Sequence, residues 1–240
     1  MNKEIFYKTM LDKANLLEIR LDLMQLEMFY NYMNLLIDWN KKINLTSIVD
    51  ENDIIIKHFI DSITILRYIK DSCSIIDIGT GAGFPGIPLK IIKGSIYLTL
   101  ADSLSKRINF LDTVISKLSL NNITTIHCRA EDLGIKEDYR EKFDIAVSRA
   151  VAPLNILIEY MLPFVKLGGI CICMKGPNIE DEIINCRKAL ELLGGEIEKM
   201  DTIFLPGTDI SRNILIIKKV KITSNQYPRK AGVPSKKPIA

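Results

Sequence analysis

Apolar positions along the chain follow one rhythm to about residue 70 and another beyond it. In the first part Leu23, Leu26, Phe29, Tyr30, Met33, Leu36 and Ile37 recur at three- and four-residue spacing, which predicts one face of an amphipathic helix. The stripe breaks at the polar segment Asn40–Thr46 and resumes through Ile54, Ile55, His58, Phe59, Ile63, Leu66 and Ile69. Helices packed as a cap on a sheet are predicted here, with Asp61 and Ser62 facing either solvent or the segment that follows. From Ser74 short apolar runs alternate with helical stretches. Strands are predicted at Ile75–Ile78, Ile96–Ala101, Ile123–Cys128, Phe143–Ser148 and Ile170–Met174, the last introduced by Gly168-Gly169. Helices are predicted at Lys106–Leu118, from Leu154, and over about Glu180–Leu193, with a final pair of strands near Glu196–Phe204 and Asn213–Val220. Repeated β-α units imply a parallel sheet with right-handed crossovers, closed by a hairpin. The predicted division is a helical cap over 1–70, an α/β sheet domain over 71–222, and a C-terminal arm over 223–240.

The densest chemistry lies in Ile75-Ile76-Asp77-Ile78-Gly79-Thr80-Gly81-Ala82-Gly83-Phe84-Pro85-Gly86-Ile87-Pro88. An apolar strand, a glycine turn and a helix start in that order form a nucleotide cradle. In open α/β sheets ligands sit beyond the carboxyl ends of the strands. The first strand brings Asp77 and the turn there, the second Asp102, the third Ala130-Glu131-Asp132, and the fourth Ser148-Arg149. Asp102 stands where a carboxylate accepts from both ribose hydroxyls of a bound nucleotide; it would equally suit the cap of the helix near Lys106.

Gly81-x-Gly83-x-x-Gly86 also satisfies a dinucleotide fingerprint, so an NAD-dependent oxidoreductase is a rival reading. Three features favour S-adenosylmethionine: the acid at Asp77 before the turn, a second acidic pair at Glu131-Asp132 for an adenine amine, and one nucleotide-binding sheet rather than two halves. The atom methylated follows by exclusion. Cys171 and Cys173 lie in an apolar strand with no Pro-Cys nucleophile, and Ser148–Pro153 is not the Asn/Asp-Pro-Pro-aromatic turn used on exocyclic amines. A ring nitrogen such as guanine N7 carries no proton and needs neither device, so no catalytic residue is assigned.

Composition adds a polyanionic partner. The apolar fraction is 48%, and no apolar run approaches the roughly 20 residues that cross a bilayer. Five cysteines without a Cys-x-x-Cys pair read as reduced core residues, two distant histidines argue against a metal site, and Met1-Asn2-Lys3-Glu4 lacks the build of a signal peptide. A cytoplasmic protein acting as a monomer, with no metal and no membrane partner, is the expectation. Lys218, Lys219, Lys221, Arg229, Lys230, Lys236 and Lys237 come with no acid; removing those seven charges from a net of +3 leaves the rest at −4. The prolines and Tyr227 of this tail suggest an ordered basic arm with a stacking ring. Arg229, Lys230, Lys236 and Lys237 are assigned to the phosphates of that partner, joined by Lys41 and Lys42 beside Trp39. His58 reads as a core or capping histidine rather than a catalyst.

Taken together, Asp38–Thr46, His58–Ser62, Asp77–Pro88, Ser148-Arg149-Ala150, Tyr227–Lys230 and Pro234–Pro238 resemble the ribosomal RNA small-subunit methyltransferase G family, also known as glucose-inhibited division protein B. Asp38, where the family commonly carries Glu, is a conservative departure. The resemblance implies a bacterial enzyme that uses S-adenosylmethionine to make N7-methylguanosine in the 530 loop of 16S rRNA, on the RNA or the small ribosomal subunit. It implies cofactor contacts at Gly79, Phe84, Ala130-Glu131 and Arg149. A non-catalytic RNA-binding module with the same fold is the rival from another class.

Overall fold

Alternation along β1 (Ser74–Ile78) sets the layering. Ile75 faces one hydrophobic cluster and Ile76 the other, as period-two geometry requires. The computed structural model describes residues 1–149 and 151–239. Its sheet has seven strands in the order β3-β2-β1-β4-β5-β7-β6. These are β2 (Tyr97–Asp102), β3 (Ile123–His127), β4 (Phe143–Arg149), β5 (Val165–Lys175), β6 (Gly195–Phe204) and β7 (Ser211–Lys219). Strands β1 to β5 pair in parallel, and β7 inserts antiparallel between β5 and β6. Strand order reverses between β1 and β4, which opens a crevice beyond their carboxyl ends.

One face of the sheet carries α1 (Lys3–Asn15), α2 (Leu23–Ile43), the segment Glu51–Ile63, α5 (Gly86–Ile92) and α6 (Ser105–Lys117). Segment 51–63 is α3 (Glu51–Ile54), a π-helical turn (Ile55–Ile60) and α4 (Asp61–Ile63). The other face carries α7 (Ala130–Gly134), α8 (Leu154–Met161), α9 (Glu180–Asn185) and α10 (Arg187–Leu193). Helix α2 starts at a reciprocal cap, where Asp22 accepts from the Gln25 backbone and Gln25 from that of Asp22. It buries Leu26, Phe29, Tyr32, Met33 and Leu36, each such side chain stabilising by about 1.5–3 kcal/mol. Leu23, expected in that stripe, sits in the first turn and is exposed.

Two elements differ from expectation. β5 starts at Val165, before the glycine pair. The β4–β5 register skips between Phe143↔Val165 and Ile145↔Ile170, so Gly168-Gly169 form a bulge inside the strand. The helix expected over Glu180–Leu193 breaks at Cys186 into α9 and α10.

The tail is no free arm. Arg140 donates to the Thr223, Ser224 and Tyr227 carbonyls, and Pro228 and Ile239 are buried. A short helix, α11 (Val233–Lys236), lies against α8. Tyr227, expected to offer a stacking ring, packs instead on the second cluster, and Trp39 packs on Phe110 with ring centroids 5.6 Å apart. Among the described residues no helix is long and apolar enough to cross a membrane.

Candidate functional site

Asp77 holds the glycine turn together from inside. Its Oδ2 accepts from the Thr80 hydroxyl and the Gly86 N–H, each at 2.8 Å, while Oδ1 has no partner among the described residues. Asp77 is fully buried, and burial pushes its carboxyl up to about 7. The sequence reading gave it to the cofactor; the structure places it beneath the turn, where it sets the turn's shape. Gly83, at φ +95°, tolerates no side chain, since a Cβ would come within 2.6 Å of Ile87 and of the Tyr32 hydroxyl. That hydroxyl donates to the Ala82 carbonyl and closes the turn from the cap side.

A carboxyl raised in the fold makes stability pH-dependent, and the sign follows from proton linkage. Protons bind the folded state more tightly, so this contribution is full at low pH and is lost as pH rises through about 7. Compared with Asp77→Asn, wild type should therefore lose ground between about pH 4 and pH 7 and run parallel above it. Urea midpoints of the two proteins across that range test this; curves parallel throughout would rule it out.

Asp102 ends β2 with a side chain only 2% exposed. Its Oδ2 accepts from Gly81 N–H and its Oδ1 from Leu104 N–H, both at 2.9 Å. Arg107, in the first turn of α6, lies across both oxygens at 3.1 and 3.4 Å. Asp102 does not cap α6, whose N-cap is Leu104. A third of the Arg107 side chain is exposed, and its long contacts occupy the lone pairs that ribose hydroxyls would need. Sequence reasoning missed Arg107, although its position one turn after an acid at a strand end is a usable signal.

Arg149 leaves β4 and enters the cap. Its guanidinium donates to the Lys57 carbonyl (2.9 Å), His58 Nδ1 (3.0 Å) and Asp61 Oδ2 (3.2 Å), and lies 5.1 Å from the Phe84 ring centre. The Lys57 carbonyl lies in the π-helical turn, whereas the His58 carbonyl already accepts from the Asp61 N–H and the Ser62 hydroxyl. His58 stacks on Phe84 at 4.4 Å and 9°, and burial with the nearby Arg149 charge lowers it to about 3. Asp61 and Ser62 are buried rather than solvent-facing; Asp61 receives Arg212 as well as Arg149.

A cleft of about 430 Å³ lies over Gly79–Ala82, lined also by Thr46, His58, Phe84, Asp102 and Arg149. A groove of about 160 Å³ adjoins it, sharing Gly79, Asp102 and Ser103 and adding Cys128, Ala130, Glu131 and Tyr160. Glu131 lines that groove, but its Oε1 accepts from Gly232 N–H at 2.8 Å and so holds the arm; Asp132 is exposed. Ala150, next to Arg149 in the sequence motif, lies outside the described residues. Lys230, Lys236, Lys237 and Lys42 are exposed, and Lys41 pairs with Asp38 at 3.0 Å on the surface. Arg229 is committed elsewhere, forked onto Glu159. Among the described residues no cluster of three His, Cys, Asp or Glu is arranged to hold a metal.

The residues present fit S-adenosylmethionine. A buried carboxylate with loosely held lone pairs stands at the end of β2, beside a glycine turn that admits close backbone approach, and a half-apolar groove continues past it.

Comparison with known proteins agrees. The family model described as rRNA small subunit methyltransferase G matches residues 25–211. A ribosomal RNA small subunit methyltransferase G from Acetivibrio thermocellus is 52% identical over 97% of this chain and 96% of its own length. Its counterpart from Alkaliphilus oremlandii is 52% identical over 90% and 91%. Among solved structures, M. jannaschii TYW2 in complex with AdoMet covers 68% of this chain and 76% of its own, at TM-score 0.54 and 15% identity, a likeness of fold.

Proposed function

The chain belongs to the rRNA small subunit methyltransferase G family, and from that premise we propose that it methylates N7 of a guanosine in the 530 loop of 16S rRNA. Bound S-adenosylmethionine supplies the electrophilic methyl group. The observation that carries the choice of atom is the chemistry of the cleft. Both His58 ring nitrogens are engaged and its basicity is suppressed, while Asp77 and Asp61 are buried beneath the surface. Among the described residues lining the larger cleft there is no cysteine. A site without a free base or thiolate suits a nucleophile with an open lone pair and no proton to lose. Its work is then alignment, worth up to roughly 7–11 kcal/mol in favourable systems.

The chain's residues divide that work. Gly79–Gly83 present backbone to the cofactor, Ala130 and Glu131 wall the adenine groove, and Asp102 receives the ribose hydroxyls once Arg107 swings away. Asp102→Ala should weaken S-adenosylmethionine binding by about 1.5–3 kcal/mol, read by calorimetry; an unchanged affinity in folded protein would leave Asp102 only its turn-holding role. Phe84 and Arg149 form the wall shared with the cap. Exposed Lys41, Lys42, Lys230, Lys236 and Lys237 hold RNA phosphates, Lys41 on the cap side and the arm lysines where Gly232 meets Glu131. The reading is completed by a monomer working in the bacterial cytoplasm.

The test is site mapping. Purified protein with labelled S-adenosylmethionine is offered 16S rRNA and small subunits from a strain lacking it, and borohydride–aniline cleavage locates N7-methylguanosine. Label at one guanosine of the 530 loop is expected. Label on another atom, or none on either substrate, would overturn the reading.

A further inference from the structure

Thr46 is joined to Arg149 through His58, and the chemistry of that chain fixes every proton in it. A guanidinium has only donors, so the Arg149 Nη2 to His58 Nδ1 contact at 3.0 Å makes Nδ1 an acceptor. The imidazole is then neutral, with its hydrogen on Nε2. Nε2 lies 2.9 Å from Thr46 Oγ1 and donates to it. The Ile48 backbone N–H donates to the same oxygen at 3.1 Å. Both lone pairs of the Thr46 hydroxyl are thereby filled, and its own hydrogen has no partner among the described residues. The Asn40 side chain pins the Thr46 backbone further, since its amide donates to the Thr46 carbonyl and accepts from the Thr46 N–H, each at 2.9 Å.

A free hydroxyl donates or accepts as its partner demands. This one can only donate. It lines the cleft over the glycine turn together with Phe84, Asp102 and Arg149. A second cleft of about 390 Å³, with Leu36, Asn40, Asn44 and Ile48 in its walls, meets the first at Thr46 and gives room for a flipped base.

Guanine presents O6 beside N7 on its major-groove edge, two adjacent acceptors, whereas adenine presents an amino donor beside N7. An ordinary hydroxyl would accommodate either. We propose that Thr46, held as an obligate donor by His58 and Ile48, reads the target base by donating to guanine O6 next to the reacting N7. Adenine at that place would set two donors against each other. The inference rests on the N7-guanosine reading above and goes beyond it in naming the residue that selects the base. It also explains why Arg149 engages a histidine that performs no proton transfer.

The experiment compares small subunits whose rRNA carries guanosine or 2-aminopurine, which keeps N7 but lacks O6, at the target position. Wild type should favour guanosine in kcat/KM by about tenfold or more, the size of one hydrogen bond. Thr46→Val should lower kcat/KM on guanosine by about tenfold, leave 2-aminopurine unchanged, and so shrink the preference by that factor. Thr46→Ser, which keeps the hydroxyl, should retain the preference. Affinity for S-adenosylmethionine should be the same in all three. A merely structural role would lower both substrates together. The proposal is overturned by a wild type without preference for guanosine, by a preference that survives Thr46→Val, by a serine variant that behaves like valine, or by a loss confined to cofactor affinity. A wild type that methylates no guanosine fails the parent reading as well, a result distinct from a methylating enzyme indifferent to Thr46.

Discussion

Arg149→Lys is expected to cut methyl transfer by roughly a hundredfold, the penalty for an ångström of misplacement in a site that works by alignment. The guanidinium spans two carbonyls of the π-helical turn, His58 Nδ1 and Asp61, and covers the Phe84 ring. A lysine ammonium is a point charge with three donors; it reproduces neither the planar fork nor the stacking. Asp61 would keep Arg212, but one Asp61 oxygen already lacks a partner among the described residues, so weakening this buried pair should cost about 3 kcal/mol of stability. Losing the donor to Nδ1 also frees the His58 tautomer. Nitrogen chemical shifts of the imidazole should report Nε2–H in wild type and a mixture in the variant. Turnover, urea midpoint and those shifts are the readouts. A lysine variant with full turnover and one tautomer would mean that charge alone suffices.

What the sequence made legible was local. The order of the parallel strands' chemistry, the glycine turn and the acid at the end of β2 follow from spacing within about twenty residues, and spacing within a βα unit survives folding. Contacts made by tertiary packing were not legible. His58 and Arg149 are 91 residues apart and meet only because a π-helical turn swings His58 over Phe84. Asp77 carries the acid-before-glycine pattern of a ligand contact, yet a β1 side chain on that face points under the turn. A signal for part of the rest was present. Lone charges inside apolar stretches, Glu159 in Leu154–Met161 and Asp61 in Phe59–Ile63, are expensive unless paired, and each demanded an arginine from elsewhere. Arg229 answers Glu159, and Arg149 with Arg212 answers Asp61. Composition gave the tail to a polyanion as a block because it counts charge without asking which charges the fold needs.

That distinction yields the sharpest separation of effects. Arg229 donates its backbone N–H and a bidentate fork to Glu159, whose side chain is fully buried, and its remaining Nη1 to the Lys237 carbonyl. Arg229→Met would leave Glu159 as a buried charge with one backbone donor. A loss of about 2–3 kcal/mol is expected, somewhat below that of a fully enclosed pair because a quarter of the Arg229 side chain meets solvent. The arm beyond it would loosen, held then by Glu131 at Gly232 and Asn155 at Ile239. Arg229→Met with Glu159→Gln should recover much of the loss, because no charge is left stranded. The three lysines predict the opposite behaviour. Lys230, Lys236 and Lys237 are exposed and, among the described residues, form no ion pair. Replacing all three by alanine should leave the urea midpoint where it was, yet flatten the dependence of log RNA affinity on log salt by about 2, at about 0.7 per phosphate contact on single-stranded RNA. Urea titrations and RNA binding against salt on both proteins decide the matter. If Arg229→Met kept its stability and lost the salt slope instead, phosphate contact rather than Glu159 would be what Arg229 is for.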